Sequence, residues 1–166
     1  IIYMNTFLVR RLIPFYAFAI VLEFIYKIGL GIYCHDVVDL SFLSLIKTAG
    51  ILSLTTSVAF IFMMIPYVVY LLFLPRAKVG SKFDKITSGV FFSLFVFINY
   101  FEVFSAAVFW NEFQSAFNFI AVDYLVYTNE VIANITQSYP IVWIISAIVA
   151  LSVITVTLLR KFIVPT

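Results

Sequence analysis

Four long apolar runs set the terms for any fold this chain can adopt. They cover Leu12 to Tyr33, about 49–74, about 86–110 and Ile141 to Leu159. Each is long enough to cross a hydrocarbon core as a helix, which takes roughly 20 residues. Lipid offers backbone groups no hydrogen-bond partner, so a spanning segment is either a helix or a strand of a closed barrel. None of the four runs alternates with the period of two that barrel strands require. Hydrophobic residues make up 64% of the 166 and charged residues 11%, more apolar surface than a soluble domain of this size can hide. The expected fold is an all-α polytopic transmembrane bundle, a single domain over 1–166 with four spans. Pro140 suits the entrance of the fourth helix, Pro75 ends the second, and Pro66 is expected to kink it. Ser41 to Lys47 reads either as a short interfacial helix or as an extension of the second span, and Lys47 favours the interface.

The distribution of charge carries more than its net value of +2. Arg10 and Arg11 precede the first run, Arg76, Lys78, Lys82 and Lys85 lie between the second and third, and Arg160 and Lys161 follow the fourth. Eight of the ten basic residues thus fall on one side. By the positive-inside rule both ends of the chain are expected in the cytoplasm, with the loops around Cys34 to Lys47 and Phe109 to Pro140 outside. The first run is too long for a signal-peptide core, and no small-residue cleavage pattern follows it. Nothing in the composition supports nucleic-acid binding. The lone Cys34 cannot form an internal disulfide.

Charges within the apolar runs are the next candidates for function. A charge near the bilayer centre costs about 2.5–3.5 kcal/mol on insertion scales, so each should face protein, water or a partner. Glu23 and Lys27 are four residues apart, on one helical face and in the favourable order of acid before base. The plain reading is an intramembrane ion pair that packs the first helix against its neighbours. The rival is a lipid-headgroup or substrate cavity lined by both, and a proton or ion pathway has least behind it. Glu102 shares a face with Asn99 and Ser105 at spacings of three, which reads as a packing seam or as contact with a substrate in the outer leaflet. Proximity of Glu102 to Lys27 would favour the substrate reading.

The stretch FWNEFQSAFNFIAVDYLVYTNEVIANITQSYP, Phe109 to Pro140, has Glu112, Asp123 and Glu130 but no Lys or Arg. Taken as a helix over about 119–137, it gathers Asp123, Tyr127, Glu130, Asn134 and Gln137 on one face and Val122, Leu125, Val126 and Ile132 on another. With Trp110 and several Phe and Tyr around it, an external amphipathic interfacial helix over about 113–138 is expected. Its acidic face argues against electrostatic attachment to anionic lipid. Trp110, Asp123, Tyr127, Glu130 and Glu102 are the lipid- or substrate-lining candidates. Cys34, His35 and Asp36 are adjacent and diverge on a helix, so no metal site is expected there. Asn134 to Thr136 matches a glycosylation sequon, a weak signal at three residues.

FNFIAVDYLVYTNEVIANI followed by SYP, Phe117 to Ile135 and Ser138 to Pro140, resembles the connector in the membrane portion of lipoteichoic-acid-synthase-like phosphoglycerol transferases of Gram-negative bacteria, within the sulfatase and alkaline phosphatase superfamily. PYVVYLLFLPR, Pro66 to Arg76, is similar to the family's preceding segment. The resemblance implies an inner-membrane anchor, usually of five helices, that carries an extracytoplasmic catalytic domain. That domain would move phosphoglycerol, or in relatives phosphoethanolamine, from a phospholipid to an envelope glycan or lipid acceptor, using a threonine nucleophile and a divalent metal, Mn or Mg. No catalytic residues of that kind are in this chain. The start at Ile1 and the four spans lead to the expectation of a fragment, with a fifth helix and then the catalytic domain beyond Thr166. The partners implied are membrane lipids and that domain. The alternative is a small non-catalytic integral membrane scaffold or assembly protein. A transporter has little support without paired Gly- or Pro-broken helices.

Overall fold

The computed structural model describes residues 2–34, 41–113 and 136–163. It holds four long helices, α1 (Ile2–Tyr33), α2 (Phe42–Phe73), α3 (Lys82–Phe113) and α4 (Ile141–Ile163), with a 3-10 turn at Arg76–Lys78. Among the described residues there is no strand. All four helices are long and apolar enough to cross a membrane. Large apolar side chains cover the outside of the bundle, with Phe73 83% and Trp143 78% exposed and Ile25 and Ile98 also outward. Water would penalise that surface and lipid would not, so the chain is a multi-pass membrane bundle.

The helices run further than the apolar patterns. Phe42 replaces residue 49 as the start of α2, because Ser41 acts as its N-cap, its hydroxyl accepting from the Ser44 N–H at 3.4 Å. Ser41 to Lys47 is therefore an extension of the second span. The helix passes Pro66 unbroken and ends just before Pro75. A turn at Gly80, whose φ of 76° suits glycine, leads into α3. There the Ser81 hydroxyl accepts from the Asp84 N–H at 3.3 Å. Residues 114–135 of the interfacial segment, including Asp123, Tyr127, Glu130 and the sequon residue Asn134, lie outside the described residues, as do His35 and Asp36.

Side-chain contacts give the topology. Phe15 of α1 meets Tyr67 of α2, and Tyr16 hydrogen-bonds Ser57 at 2.8 Å, so α1 and α2 are antiparallel. Phe15 and Phe18 contact Phe92, Phe95 and Tyr100 in ascending order, so α1 and α3 run parallel. Tyr100 bonds Thr155 at 2.8 Å, and Tyr139, just before α4, bonds Glu112, which sets α4 antiparallel to α3. Midway along the bundle Phe15 is fully buried among Tyr67, Phe92 and Phe95, with ring centroids 4.9, 5.0 and 5.5 Å away. Such tilted and edge-on aromatic contacts are each worth about 0.5–1.5 kcal/mol beyond area burial.

One end of the core is polar. Arg10 and Arg11, expected in the loop before the first span, lie inside α1, and Arg11 is only 2% exposed. This corrects the loop assignment. The Arg11 guanidinium pairs with fully buried Asp84 at 2.5 Å and donates to the Ser88 hydroxyl at 3.4 Å. Asp84 also accepts from the Gly80 N–H at 2.7 Å and from the Tyr70 hydroxyl at 3.2 Å, while Tyr67 donates to Ser88 at 3.0 Å. A buried ion pair persists only when its remaining donors and acceptors are satisfied, as they are here. The cluster fastens α1, α2 and α3 at the end where the basic residues gather.

Candidate functional site

Beyond the aromatic core, towards the other end of the bundle, α1, α2 and α3 enclose a cavity of about 290 Å³. Ala19, Met63 and Phe95 form its apolar floor. Its polar wall is built from Glu23 and Lys27 of α1, Thr55 and Thr56 of α2, and Asn99 and Glu102 of α3. Trp110 stands at its far end. The helical spacing explains the convergence: Glu23 and Lys27 repeat at four residues, Asn99 and Glu102 at three, and Trp110 two turns further on, so each set keeps to one face.

Depth follows from the rise of the helix. Glu23 lies about 18 Å along α1 from Arg11, and Glu102 about 27 Å along α3 from Asp84, at 1.5 Å per residue. Against a hydrocarbon core of roughly 30 Å, the cavity occupies the half of the membrane remote from the basic cluster, and its Trp110 end reaches the interface.

Four sequence candidates, Glu23, Lys27, Glu102 and Trp110, therefore share one site, and Asn99 joins them. Ser105, placed with Glu102 on the wheel, is not in the lining. Glu23 and Lys27 do not close to a direct ion pair within 4.0 Å; among the described residues the pair at that distance is Arg11 with Asp84. Instead the Lys27 ammonium sits 5.0 Å from the Tyr26 ring centroid and shares the cavity lining with Glu23 and Glu102. The cavity between the helices gives these side chains room to point inward separately. Glu102 keeps an exposed surface, so the site is not sealed from the outside of the bundle.

Two of the polar groups have fixed roles. Asn99 donates to the Phe95 carbonyl at 2.8 Å, and Thr55 bonds the Ile51 carbonyl at 3.0 Å, so both satisfy helix backbone and leave their remaining lone pairs to the cavity. The Trp110 Nε1–H is buried, and among the described residues it has no hydrogen-bond partner. A buried unpaired donor costs about 1–3 kcal/mol, which makes it the place where an acceptor on a bound molecule gains most.

Sequence reading missed the contribution of α2. Its signal was present in Thr55 and Thr56, adjacent hydroxyls inside an apolar span, but which face they take depends on the packing of three helices. Between the end of α3 and the start of α4, Tyr139 donates to the Glu112 carboxylate, and this bond holds the Tyr139 phenol above its ordinary pKa. Cys34, just after α1, is a buried free thiol. Among the described residues no three His, Cys, Asp or Glu side chains converge to hold a metal.

No protein-family model matches the chain, and neither does any curated protein or solved structure.

Proposed function

We propose that this bundle is the membrane portion of an extracytoplasmic phosphoglycerol or phosphoethanolamine transferase of the bacterial inner membrane, and that its cavity receives the headgroup of the donor phospholipid. The observation that carries this reading is the gathering of Glu23, Lys27, Glu102 and Trp110 around one cavity within the span. A packing seam needs no empty volume, whereas an amphiphile needs this combination: an apolar floor, a few convergent polar groups and an opening at the interface. The family resemblance supplies the reaction class. The bias of eight basic residues to one end supports cytoplasmic termini, which puts the cavity in the outer half of the membrane, where the catalytic domain would act. Membrane lipids and that catalytic domain are its partners.

The test is transfer from a labelled phospholipid by the full-length protein in proteoliposomes. Lys27→Ala or Glu102→Gln removes a charge-assisted contact worth about 1.5–3 kcal/mol, so transfer falls roughly ten- to hundredfold with insertion unchanged. Transfer at the wild-type rate in both variants removes the donor-binding role and leaves anchoring alone.

A further inference from the structure

At the end of the bundle where Arg11 and Asp84 pair, the outer surface is basic. Arg10 of α1 and Lys82 and Lys85 of α3 are exposed there. Among the described residues the acid at that end is Asp84, and its carboxylate is taken up by Arg11, the Gly80 N–H and the Tyr70 hydroxyl. The placement of the three exposed bases follows from helix geometry. Arg11 and Asp84 face each other across the parallel pair α1 and α3, and one residue turns a helix by about 100°. A step back on α1 to Arg10 and a step forward on α3 to Lys85 therefore turn to the same side of the seam. Lys82, three residues before Lys85, keeps to that face. One turn further into the span the same flank carries Pro14 and Gly89, each four residues on from a base. Both are short, and a Cβ at Gly89 would meet nothing within 4 Å. The flank thus has bases at its head and open apolar space behind them.

We propose that this flank of α1 and α3 binds an anionic phospholipid of the leaflet it faces, with Arg10, Lys82 and Lys85 on the phosphate and an acyl chain over Pro14 and Gly89. Each base beside the end of a spanning helix gains about 1 kcal/mol from anionic lipid. Arginine and lysine stems lie along apolar surface and carry their charge out to the phosphates. Free phosphate would meet the charges but leave the space at Gly89 unfilled, and a zwitterionic lipid brings as much positive charge as negative. The site is distinct from the cavity, since Glu102 lies about 25 Å along α3 from Lys85 at 1.5 Å per residue. It does not rest on the transferase reading. Exposed charges hold the lipid, so it exchanges with the surrounding leaflet and is read within the bilayer.

The experiment labels Ala17→Cys with bimane in a Cys34→Ser background of the full chain. Ala17 is exposed and seven residues on from Arg10, on the face that carries Pro14. The labelled chain is placed in phosphatidylcholine vesicles, and the label is quenched by phosphatidylglycerol or, in a parallel series, phosphatidylcholine brominated in mid-chain. Brominated phosphatidylglycerol is expected to reach half-quenching at an about fivefold lower mole fraction, equivalent to roughly 1 kcal/mol. Salt at about 1 M, which cuts the screening length to roughly 3 Å, removes the difference. Arg10→Gln with Lys82→Gln and Lys85→Gln removes it too; Lys85→Gln alone reduces it and guards against a triple variant that fails to insert. Gly89→Leu raises the half-quenching fraction of phosphatidylglycerol with every charge in place. Equal quenching by the two lipids, a preference that survives the triple variant, or no effect of Gly89→Leu overturns the proposal. Ala106→Trp, at the cavity, leaves the preference unchanged; its loss there would assign the preference to the cavity and overturn the proposal as well.

Discussion

The Arg11 guanidinium and the Asp84 carboxylate meet at 2.5 Å in the interior of the bundle, joining the first turns of the α1 span to the start of α3. With both side chains almost wholly excluded from solvent, removal of one leaves the other as an uncompensated buried charge. Asp84→Ala or Arg11→Ala is expected to cost about 3–5 kcal/mol. Arg11→Met combined with Asp84→Leu recovers most of the loss, since an apolar pair can replace a buried ion pair. Unfolding in mixed micelles measures both, and a single variant as stable as wild type would show that the pair is not formed.

Phe15 is the hinge of the aromatic core between the polar cluster and the cavity. Phe15→Ala leaves space among Tyr67, Phe92 and Phe95 and is expected to destabilise by about 3–5 kcal/mol. Ile25→Ala, on the outer face of the same helix, should change stability by well under 1 kcal/mol, because lipid covers the site either way. The same unfolding assay separates the two.

The bond from Tyr139 to Glu112 ties the start of α4 to the end of α3 and gives a pH signature. Because the folded Tyr139 pKa is raised above 10.0, its contribution is intact below that value and is lost as pH climbs through the higher folded value. In an ultraviolet tyrosinate difference titration of wild type against Tyr139→Phe, the phenol that is lost should titrate above the ordinary tyrosine value. Glu112→Gln should shift that titration to lower pH, and an unmoved titration would contradict the contact.

Sidedness can be read by chemical labelling. On a Cys34→Ser background, Asn111→Cys should react with a membrane-impermeant maleimide in spheroplasts, and Lys78→Cys should react only after permeabilisation. Both positions are exposed in the bundle, so a lack of reaction reflects the membrane and not burial. The reverse pattern would invert the orientation drawn from the basic residues.

The four spans were legible because lipid imposes one rule, an unbroken apolar run, and this chain obeys it four times. Their ends were less so. Arg10 and Arg11 read as loop residues because charge flanks apolar runs, and Arg11 can be buried within the helix because Asp84 meets it from a segment 73 residues away. Glu23, Lys27, Glu102 and Trp110 stood out singly as charges or an interfacial aromatic in apolar surroundings. Their convergence, and the share taken by Thr55 and Thr56, depends on the rotation of α1, α2 and α3 about their axes, which follows from interdigitation of Phe15, Tyr67 and Phe95 and not from any local pattern.

On the proposed function, the space among Glu23, Lys27, Glu102 and Trp110 seats a phospholipid headgroup. Filling it is the most direct test. Ala106 lines the cavity one helical turn before Trp110, so Ala106→Trp should occupy the volume without touching the Arg11–Asp84 pair. Native mass spectrometry of the full chain released from bilayers is predicted to show bound phospholipid on the wild type and its loss from Ala106→Trp, with helix content by circular dichroism unchanged. Equal retention by the filled variant, or a wild type that carries no phospholipid, would contradict the account.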